Sequence, residues 1–286
     1  SRVYAAYDPQ RREEVALKLL DPGVTASHEG RQRFQREVEA ARRLKYRHVV
    51  PVYDSGIYSG RAFLAMRLMR AGALADRLAR GPMPDAAAAA QVLRHTARAL
   101  DHAARQGVIH RDVKPSNIFF HDHRTVCLGD FGLAKVHGLG TVTQQGQVIG
   151  SVYYMSPEQV RGLSHTATYS DIYSLGVVLY EMLTGRLPFE GELQAGVLQD
   201  IVQGAPTRPR SYNPAIAPEV ERIILRALSK EPAQRFATAG QLASAYQKTV
   251  GRGTSAASSR QAGNAGGARQ QAAARPQAAA YKPATN

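Results

Sequence analysis

The sequence predicts an α+β fold with a small β-rich lobe followed by a larger, mostly helical lobe. Residues 14–20 alternate so that Val15, Leu17 and Leu19 share one face, which is typical of a strand. Residues 29–44 change to a helical period, while residues 171–184 are apolar on nearly all sides. Such an apolar helix belongs at the centre of a lobe. With 44% hydrophobic residues in 286, the chain can bury a core of this size.

The order of the elements places the boundary between the lobes near residue 67. Residues 62–66 have the composition of a strand, and Arg70-Ala71-Gly72 is the flexible exit from it. Beyond this point Asp85 signals the start of a long helix, and an amphipathic helix covers residues 220–228. A last helix opens at Thr238 and Gln241, which form a capping-box pattern. We therefore expect a small lobe over 1–66, a hinge over 67–72 and a large lobe over 73–250.

The C-terminal residues 251–286 have a different composition. They consist mainly of Ala, Gly, Gln, Ser and Arg, and hold five basic residues without an acid. Nothing in this segment can form a packed core, so we expect a disordered basic tail or a juxtamembrane linker.

Charge and cysteine content limit the classes of partner. The net charge of +14 favours phosphate-bearing partners, acidic substrates or an anionic membrane face. The chain has no RNA-binding aromatic motif, zinc finger or basic heptad region, which argues against nucleic acid. It also has no apolar run long enough to span a bilayer, so we expect membrane contact only through segments outside this chain. The single Cys127 excludes an internal disulfide and fits a reducing compartment.

The chemistry is concentrated in two short motifs, His110 to Asn117 and Asp130-Phe-Gly. Asp112 is a candidate base that orients an acceptor hydroxyl and accepts its proton. Lys114 would lie beside a transferring phosphate, while Asn117 and Asp130 supply the hard oxygen ligands that suit Mg²⁺ or Mn²⁺. Taken alone, Asp112 could simply cap a turn. The four residues at this spacing instead indicate phosphoryl transfer.

These motifs resemble those of the eukaryotic-type protein kinases, and most closely the bacterial serine/threonine kinases of that superfamily. "HRDVKPSN", "GSVYYMSPEQ" (150–159), "SDIYSLGVVLYEMLTGRLPF" (170–189) and "EPAQRFATAGQL" (231–242) carry the resemblance, which runs from residue 1 to about 250. It implies a bilobal protein-kinase-like fold. It also implies a serine/threonine kinase of class 2.7.11.1 that transfers the γ-phosphate of Mg-ATP to protein hydroxyls.

The resemblance also implies a nucleotide site in the small lobe. Lys18 matches the lysine that contacts the α and β phosphates, and its family partner falls on Glu37. A carboxylate on the apolar stripe of a helix also requires a partner, which supports the pairing. The alternative is a surface lysine at position 18. The remaining nucleotide contacts implied by the resemblance are Val3, Ala16, Met66 and Met69.

Other matched positions are structural or regulatory. Glu158 and Arg235 resemble the buried ion pair that ties the activation segment to the large lobe, and Asp171 resembles the residue that braces the catalytic loop. Arg111 beside the base suits a phosphate on the activation segment, where Thr141 and Thr143 are the candidate autophosphorylation sites. The alternative is that both are ordinary solvated loop threonines.

The family's glycine-rich loop is the main departure. The chain begins Ser1-Arg2-Val3, and aligning Val3 with the family leaves the two preceding glycines and the first strand outside it. We therefore expect an N-terminally truncated kinase with weak activity. A pseudokinase-like scaffold is the rival interpretation. We further expect a cytoplasmic kinase domain in a protein that is membrane-anchored at full length, with a kinase-domain homodimer as an open alternative.

Overall fold

The small lobe is a four-stranded antiparallel sheet with one long helix packed against it. It belongs to a computed structural model that describes residues 1–83, 85–122, 124–131, 152–163, 167–191 and 193–251. The strands are β1 (Arg2–Asp8), β2 (Glu13–Leu19), β3 (Val52–Tyr58) and β4 (Arg61–Arg67), in the spatial order β1-β2-β4-β3. The helix α1 (His28–Arg43) begins after Ser27, whose hydroxyl accepts a hydrogen bond from the Gly30 N–H.

The large lobe is helical, apart from a short hairpin. The hairpin strands are β5 (Ile118–Phe120) and β6 (Val126–Leu128). The helices, in chain order, are α2 (Leu74–Leu78), α3 (Ala86–Arg105), α4 (Pro157–Val160), α5 (Ala167–Thr184), α6 (Gln194–Gln203), α7 (Pro209–Tyr212), α8 (Pro218–Ala227) and α9 (239–251). Short 3-10 turns lie at Pro22–Thr25, Pro115–Asn117, Val152–Tyr154 and Pro232–Gln234.

Helix α5 is the centre of the large lobe. Its residues Leu175, Val177, Leu179 and Tyr180 are fully buried, and both α3 and α8 pack against it. The prediction of a buried helix over residues 171–184 is therefore confirmed. Among the described residues, no helix is both long enough and apolar enough to cross a membrane.

The predicted α+β fold with two lobes is confirmed, and the differences are confined to weak elements. The predicted strands at 14–20 and 62–66 and the helix at 29–44 appear as β2, β4 and α1, each within one residue. The patterns missed β1 and β3, which are the two edge strands of the sheet. An edge strand buries little surface, and β3 also contains a bulge between Val52 and Asp54, so its alternation is lost.

The loop 44–51 joins the two lobes through its backbone. The Leu128 N–H donates to His48 O at 2.8 Å, and the Val50 N–H donates to Leu128 O at 2.9 Å. His48 is fully buried, and its ring stacks on His95 of α3 with centroids 4.1 Å apart. The two rings bind both backbone groups of Val126. His48 Nδ1 bonds to the Val126 carbonyl oxygen, and His95 Nδ1 accepts from the Val126 N–H.

This histidine pair predicts a loss of stability in mild acid. Burial lowers the pKa of His95 to about 4 from an ordinary 6.5, and burial also lowers the pKa of His48. Between pH 6.5 and about pH 4, the His95 side chain is protonated in the unfolded chain but stays neutral in the native protein. The free energy of unfolding should therefore fall with decreasing pH, by at most about 1.4 kcal/mol per pH unit for each histidine. Urea unfolding across this pH range measures the slope.

A His95→Asn variant is the control for this slope. Its side-chain oxygen can still accept from the Val126 N–H, but the group does not titrate in this range. The variant should be less stable near neutral pH and should show a shallower decline in acid. An unchanged slope would mean that other groups cause the acid sensitivity.

Candidate active site

The β5–β6 hairpin brings two of the predicted site residues together. Asn117 immediately precedes β5 and Asp130 is the second residue after β6, while Ile118 pairs with Leu128 across the hairpin. The Gly129 N–H donates to Asn117 O at 2.9 Å and continues the ladder. Asp130 then adopts a left-handed φ of 62°, which turns the chain away from the strand. Left-handed non-glycine residues are uncommon and concentrate at functional sites.

Asp130 forms an ion pair with Lys18 of β2. The Nζ to Oδ2 distance is 2.7 Å, and Lys18 is only 8% exposed. Among the residues that the structure describes, Lys18 thus has an ion pair with Asp130. Glu37 lies half-buried on α1, and its predicted pairing with Lys18 stays a prediction.

A second group of polar side chains surrounds Asp112. Lys114 Nζ lies 2.8 Å from Asp112 Oδ2, and Asn117 Nδ2 donates to both the backbone oxygen and Oδ2 of Asp112, at 2.8 and 3.1 Å. Asn117 is buried, while Asp112 and Lys114 are about one-fifth exposed. The structure therefore brings Asp112, Lys114 and Asn117 into one hydrogen-bonded group that still reaches solvent.

The oxygen donors here fit a divalent cation that is shared with phosphates. The amide nitrogen of Asn117 is engaged with Asp112, so its Oδ1 is the atom left to act as a ligand. Asp130 supplies a carboxylate on the adjoining strand. Within the described ranges, no cluster of three His, Cys, Asp or Glu could enclose a metal by itself. Mg²⁺ typically takes one or two protein oxygens and completes its shell with phosphate oxygens and water.

Asp171 fixes the backbone that carries Asp112. Its two carboxylate oxygens accept from the His110 N–H at 2.9 Å and from the Arg111 N–H at 2.7 Å. Arg111 has a left-handed φ of 66°, so these two bonds hold a strained turn. Burial raises the pKa of Asp171, while the hydrogen bonds from the backbone oppose this rise.

His110 is a site residue to which the sequence assigned no role. It is fully buried, and its Nε2 donates to Gly129 O at 2.7 Å while its Nδ1 accepts from the Asp112 N–H at 3.2 Å. Its ring also meets Phe131 edge-on, with centroids 4.6 Å apart. His110 thus links the Asp112 loop to the Asp130 turn. The position of His110 beside Arg111 and Asp112 could have indicated this role, because both ring nitrogens of a buried histidine need hydrogen-bond partners.

Gln159 is a second contact that the sequence did not indicate. Its Nε2 donates to Arg111 O at 2.8 Å, and its Oε1 accepts from the Ser156 N–H at the start of α4. The residue therefore connects the segment before α5 to the Asp112 loop. No local pattern identifies it, since glutamine at this helix position also serves as an ordinary capping-box residue.

The predicted nucleotide contacts lie on one face of the small sheet. In the strand register, Val3 pairs with Lys18, and Ala16 pairs with Met66. Paired residues share a face, as do residues two apart on one strand, so all four lie on the same side. Ala16 is buried, whereas Val3 is 60% exposed. Met69 follows β4 and is half-buried.

Glu158 and Arg235 meet in the interior of the large lobe. The contact is bidentate, with N–O distances of 2.6 and 2.8 Å, and both side chains are almost fully buried. The remaining donors of Arg235 are satisfied by the carbonyls of Ser229, Tyr169 and Lys230. Burial alone would raise the pKa of Glu158, but the hydrogen bonds and charge of Arg235 outweigh it and lower the pKa.

The two candidate phosphorylation sites, Thr141 and Thr143, lie outside the described residues. Arg111, their proposed partner, is half-buried beside Asp112.

Comparison with known proteins gives a consistent match. The model of the family described as "Protein kinase domain" matches residues 1–247. The serine/threonine-protein kinase PknE of Mycobacterium tuberculosis is 39% identical over 244 residues, which is 85% of this chain and 43% of that protein. The serine/threonine-protein kinase PrkC of Bacillus subtilis is 35% identical over 240 residues, 84% of this chain and 37% of that protein.

The same relationship is seen in three dimensions. The crystal structure of the Mycobacterium tuberculosis PknI kinase domain matches with a TM-score of 0.68 and 27% identity, covering 86% of this chain and 90% of that one. The present chain spans roughly half the length, or less, of the curated relatives PknE and PrkC.

The buried ion pair between Glu158 and Arg235 predicts a large loss of stability when one partner is removed. Arg235→Met would leave the Glu158 carboxylate buried without its counter-ion. The free energy of unfolding in urea should then fall by about 3–5 kcal/mol. Arg222→Met is the matched control, because Arg222 pairs with Glu219 on the surface and should cost less than about 1 kcal/mol. Equal losses in the two variants would contradict a structural role for the buried pair.

Proposed function

The chain belongs to the protein kinase family, and on this premise we propose that it transfers the γ-phosphate of ATP to serine and threonine hydroxyls of proteins. The observation that carries the proposal is the convergence of two polar groups on one hairpin. These are the Lys18–Asp130 ion pair and the group formed by Asp112, Lys114 and Asn117. PknE and PrkC, which share more than a third of their matched residues with this chain, are named serine/threonine-protein kinases.

In this proposal Asp112 orients the acceptor hydroxyl. As the oxygen of that hydroxyl bonds to the γ-phosphorus, its proton passes to the Asp112 carboxylate, and the bond to the β,γ-bridging oxygen breaks. Lys114 is held 2.8 Å from the same carboxylate, so its ammonium can neutralise charge on the transferring phosphate. His110 and Asp171 do not react but keep Asp112 in place.

Lys18 and Asp130 act on the nucleotide side. We propose that Lys18 turns from Asp130 to the α and β phosphates when the nucleotide binds. This leaves the Asp130 carboxylate to join Asn117 Oδ1 in holding Mg²⁺ or Mn²⁺. When bound, the metal neutralises charge that develops on the phosphate oxygens. Glu37, half-buried on α1, is the proposed partner of Lys18 in that state.

The substrates are proposed to be proteins, including this chain itself at Thr141 or Thr143. A phosphate on that segment would find the Arg111 guanidinium close to Asp112, and arginine binds phosphate through two parallel hydrogen bonds. Membrane anchoring through a segment outside residues 1–286 completes the proposal for the full-length protein.

Two substitutions test the assignment of the site. Asp112→Asn removes the proton acceptor and Lys18→Met removes the phosphate contact, so each should lower phosphorylation of a generic protein substrate by at least about 100-fold. Asp122→Asn in the β5–β6 turn and Lys248→Met on the surface of α9 are matched controls and should retain full activity. Labelled ATP with Mg²⁺ provides the measurement. Undiminished transfer by both site variants would refute the assignment.

A third variant tests activation. Replacing Thr141 and Thr143 by alanine should lower turnover after incubation with Mg-ATP to the level of the phosphatase-treated parent. Mass spectrometry of the parent should then locate the phosphate on one of the two threonines. If phosphatase treatment leaves peptide turnover unchanged, activation by this segment is wrong.

A further inference from the structure

A compact group of positive side chains lies at the lobe junction, outside the catalytic residues. We call it the cationic belt and define it as Arg47 of loop 44–51 together with Arg94 and Arg98 of α3. Arg47 and Arg98 are exposed, and Arg94 is half-buried. The three residues come from two segments about 50 positions apart in the sequence, so only the fold unites them.

The two segments of the belt meet at the buried histidines. Arg47 directly precedes His48, Arg94 directly precedes His95, and the two histidine rings stack with centroids 4.1 Å apart. In keeping with this, the charges of Arg47, Arg94 and Arg98 act on both His48 and His95 and lower the pKa of each ring, in addition to the effect of burial. The local field at this part of the junction is therefore positive from both segments.

The belt also lacks internal counter-ions. In the part of the chain that the structure describes, no ion pair joins Arg47, Arg94 or Arg98 to a carboxylate. Neighbouring arginines differ, since Arg42 pairs with Asp54 and Arg43 pairs with Glu39. The nearby Asp101 of α3 is committed elsewhere, because it accepts from the backbone N–H groups of Ala239 and Gly240. Like charges gathered without partners repel each other and favour an external anion.

We propose that the cationic belt is a docking surface for an acidic segment of a protein partner. The inference rests on the proposed function, because a kinase acts on proteins and gains from holding them outside its active site. Arg94 and Arg98 are one helical turn apart, a rise of about 6 Å. In an extended peptide, alternate residues lie on the same side about 6.6 Å apart. Glutamates at alternate positions therefore match the spacing of the two arginines.

The surroundings favour a protein over a membrane or a nucleic acid. The exposed large apolar side chains, among them Tyr4, Tyr58 and Leu193, belong to other parts of the chain and supply no anchor for lipid here. The aromatic ring at the belt, Tyr46, is half-buried and stacks on His102 with centroids 4.4 Å apart. It is therefore not a platform for an unpaired base.

Docking at the belt should change substrate affinity rather than the chemical step. Loop 44–51 bonds to β6 through the backbone of His48, Val50 and Leu128. In the described part of the chain, the hydrogen bonds and ion pairs of Lys18 and Asp112 are made with residues outside the belt. An acidic segment attached to a substrate should therefore lower KM and leave kcat unchanged.

Binding of a defined probe tests the surface directly. The probe is a fluorescein-labelled peptide with glutamate at alternate positions, and fluorescence anisotropy measures its affinity for the full 286-residue chain at low salt. The triple variant Arg47→Gln, Arg94→Gln, Arg98→Gln should bind about tenfold more weakly, since each exposed pair contributes modestly. The control variant Arg33→Gln, Arg36→Gln, Arg208→Gln loses the same net charge outside the belt and should keep the parent affinity.

The outcomes separate the competing explanations. Equal weakening in both triple variants would mean that only net charge matters and would overturn the proposal. Preferential binding to vesicles containing phosphatidylglycerol, or to duplex DNA, with little affinity for the peptide would assign the belt to another class of partner. Thermal unfolding of each variant establishes that a weakened affinity does not reflect loss of the fold.

A kinetic arm separates this proposal from the proposed function. Phosphorylation is measured on one serine peptide with and without the alternating glutamate segment attached. The parent should show a KM about tenfold lower for the extended peptide, and the belt variant should show no difference, while kcat for the plain peptide stays the same in both. If no peptide is phosphorylated, the proposed function fails while the anisotropy result still decides the docking surface. A KM advantage that survives in the belt variant would overturn the proposal.

Discussion

The loop that carries Asp112 depends on one buried carboxylate. Asp171 accepts the N–H groups of His110 and Arg111, and so holds a turn in which Arg111 has a left-handed φ. Burying a carboxylate is costly, and two charge-assisted bonds from the backbone offset part of this cost. Because Asp171 lies on the buried helix α5, Asp112, the proposed base, is anchored to the centre of the large lobe.

Strand β6 connects this centre to the small lobe. It pairs with β5 on one side, and with loop 44–51 on the other through the His48–Leu128 and Val50–Leu128 bonds. His110 bonds to Gly129 just beyond the strand, so the Asp112 loop and the Asp130 turn are fixed relative to each other. The site residues therefore come from several elements, but hydrogen bonds tie these elements to the same short strand, β6. Both the proposed catalytic centre and the cationic belt border this junction.

Two ion pairs of the chain serve opposite purposes. The guanidinium donors of Arg235 are occupied by Glu158 and by surrounding carbonyls, and the pair is buried away from solvent. This pair therefore stabilises the fold and is not available for exchange. The Lys18–Asp130 pair is different, because Asp130 is about one-fifth exposed at the cleft. Water can reach it, and the flexible Lys18 side chain can turn to another anion, which is the exchange with nucleotide phosphates that we propose. A pair that can be exchanged is what the proposed nucleotide site requires.

The sequence by itself determined the two-lobed fold and the residue types of the candidate site. Periodicity is a local property, so β2, β4, α1 and α5 follow from neighbouring residues, and the hairpin that unites Asn117 with Asp130 spans only a short stretch of chain. Only the tertiary structure decided the pairing of Lys18 with Asp130, 112 positions away. It alone also revealed the links made by His110 and Gln159 and the assembly of the cationic belt. These depend on distances between segments far apart in the chain, which no local pattern encodes.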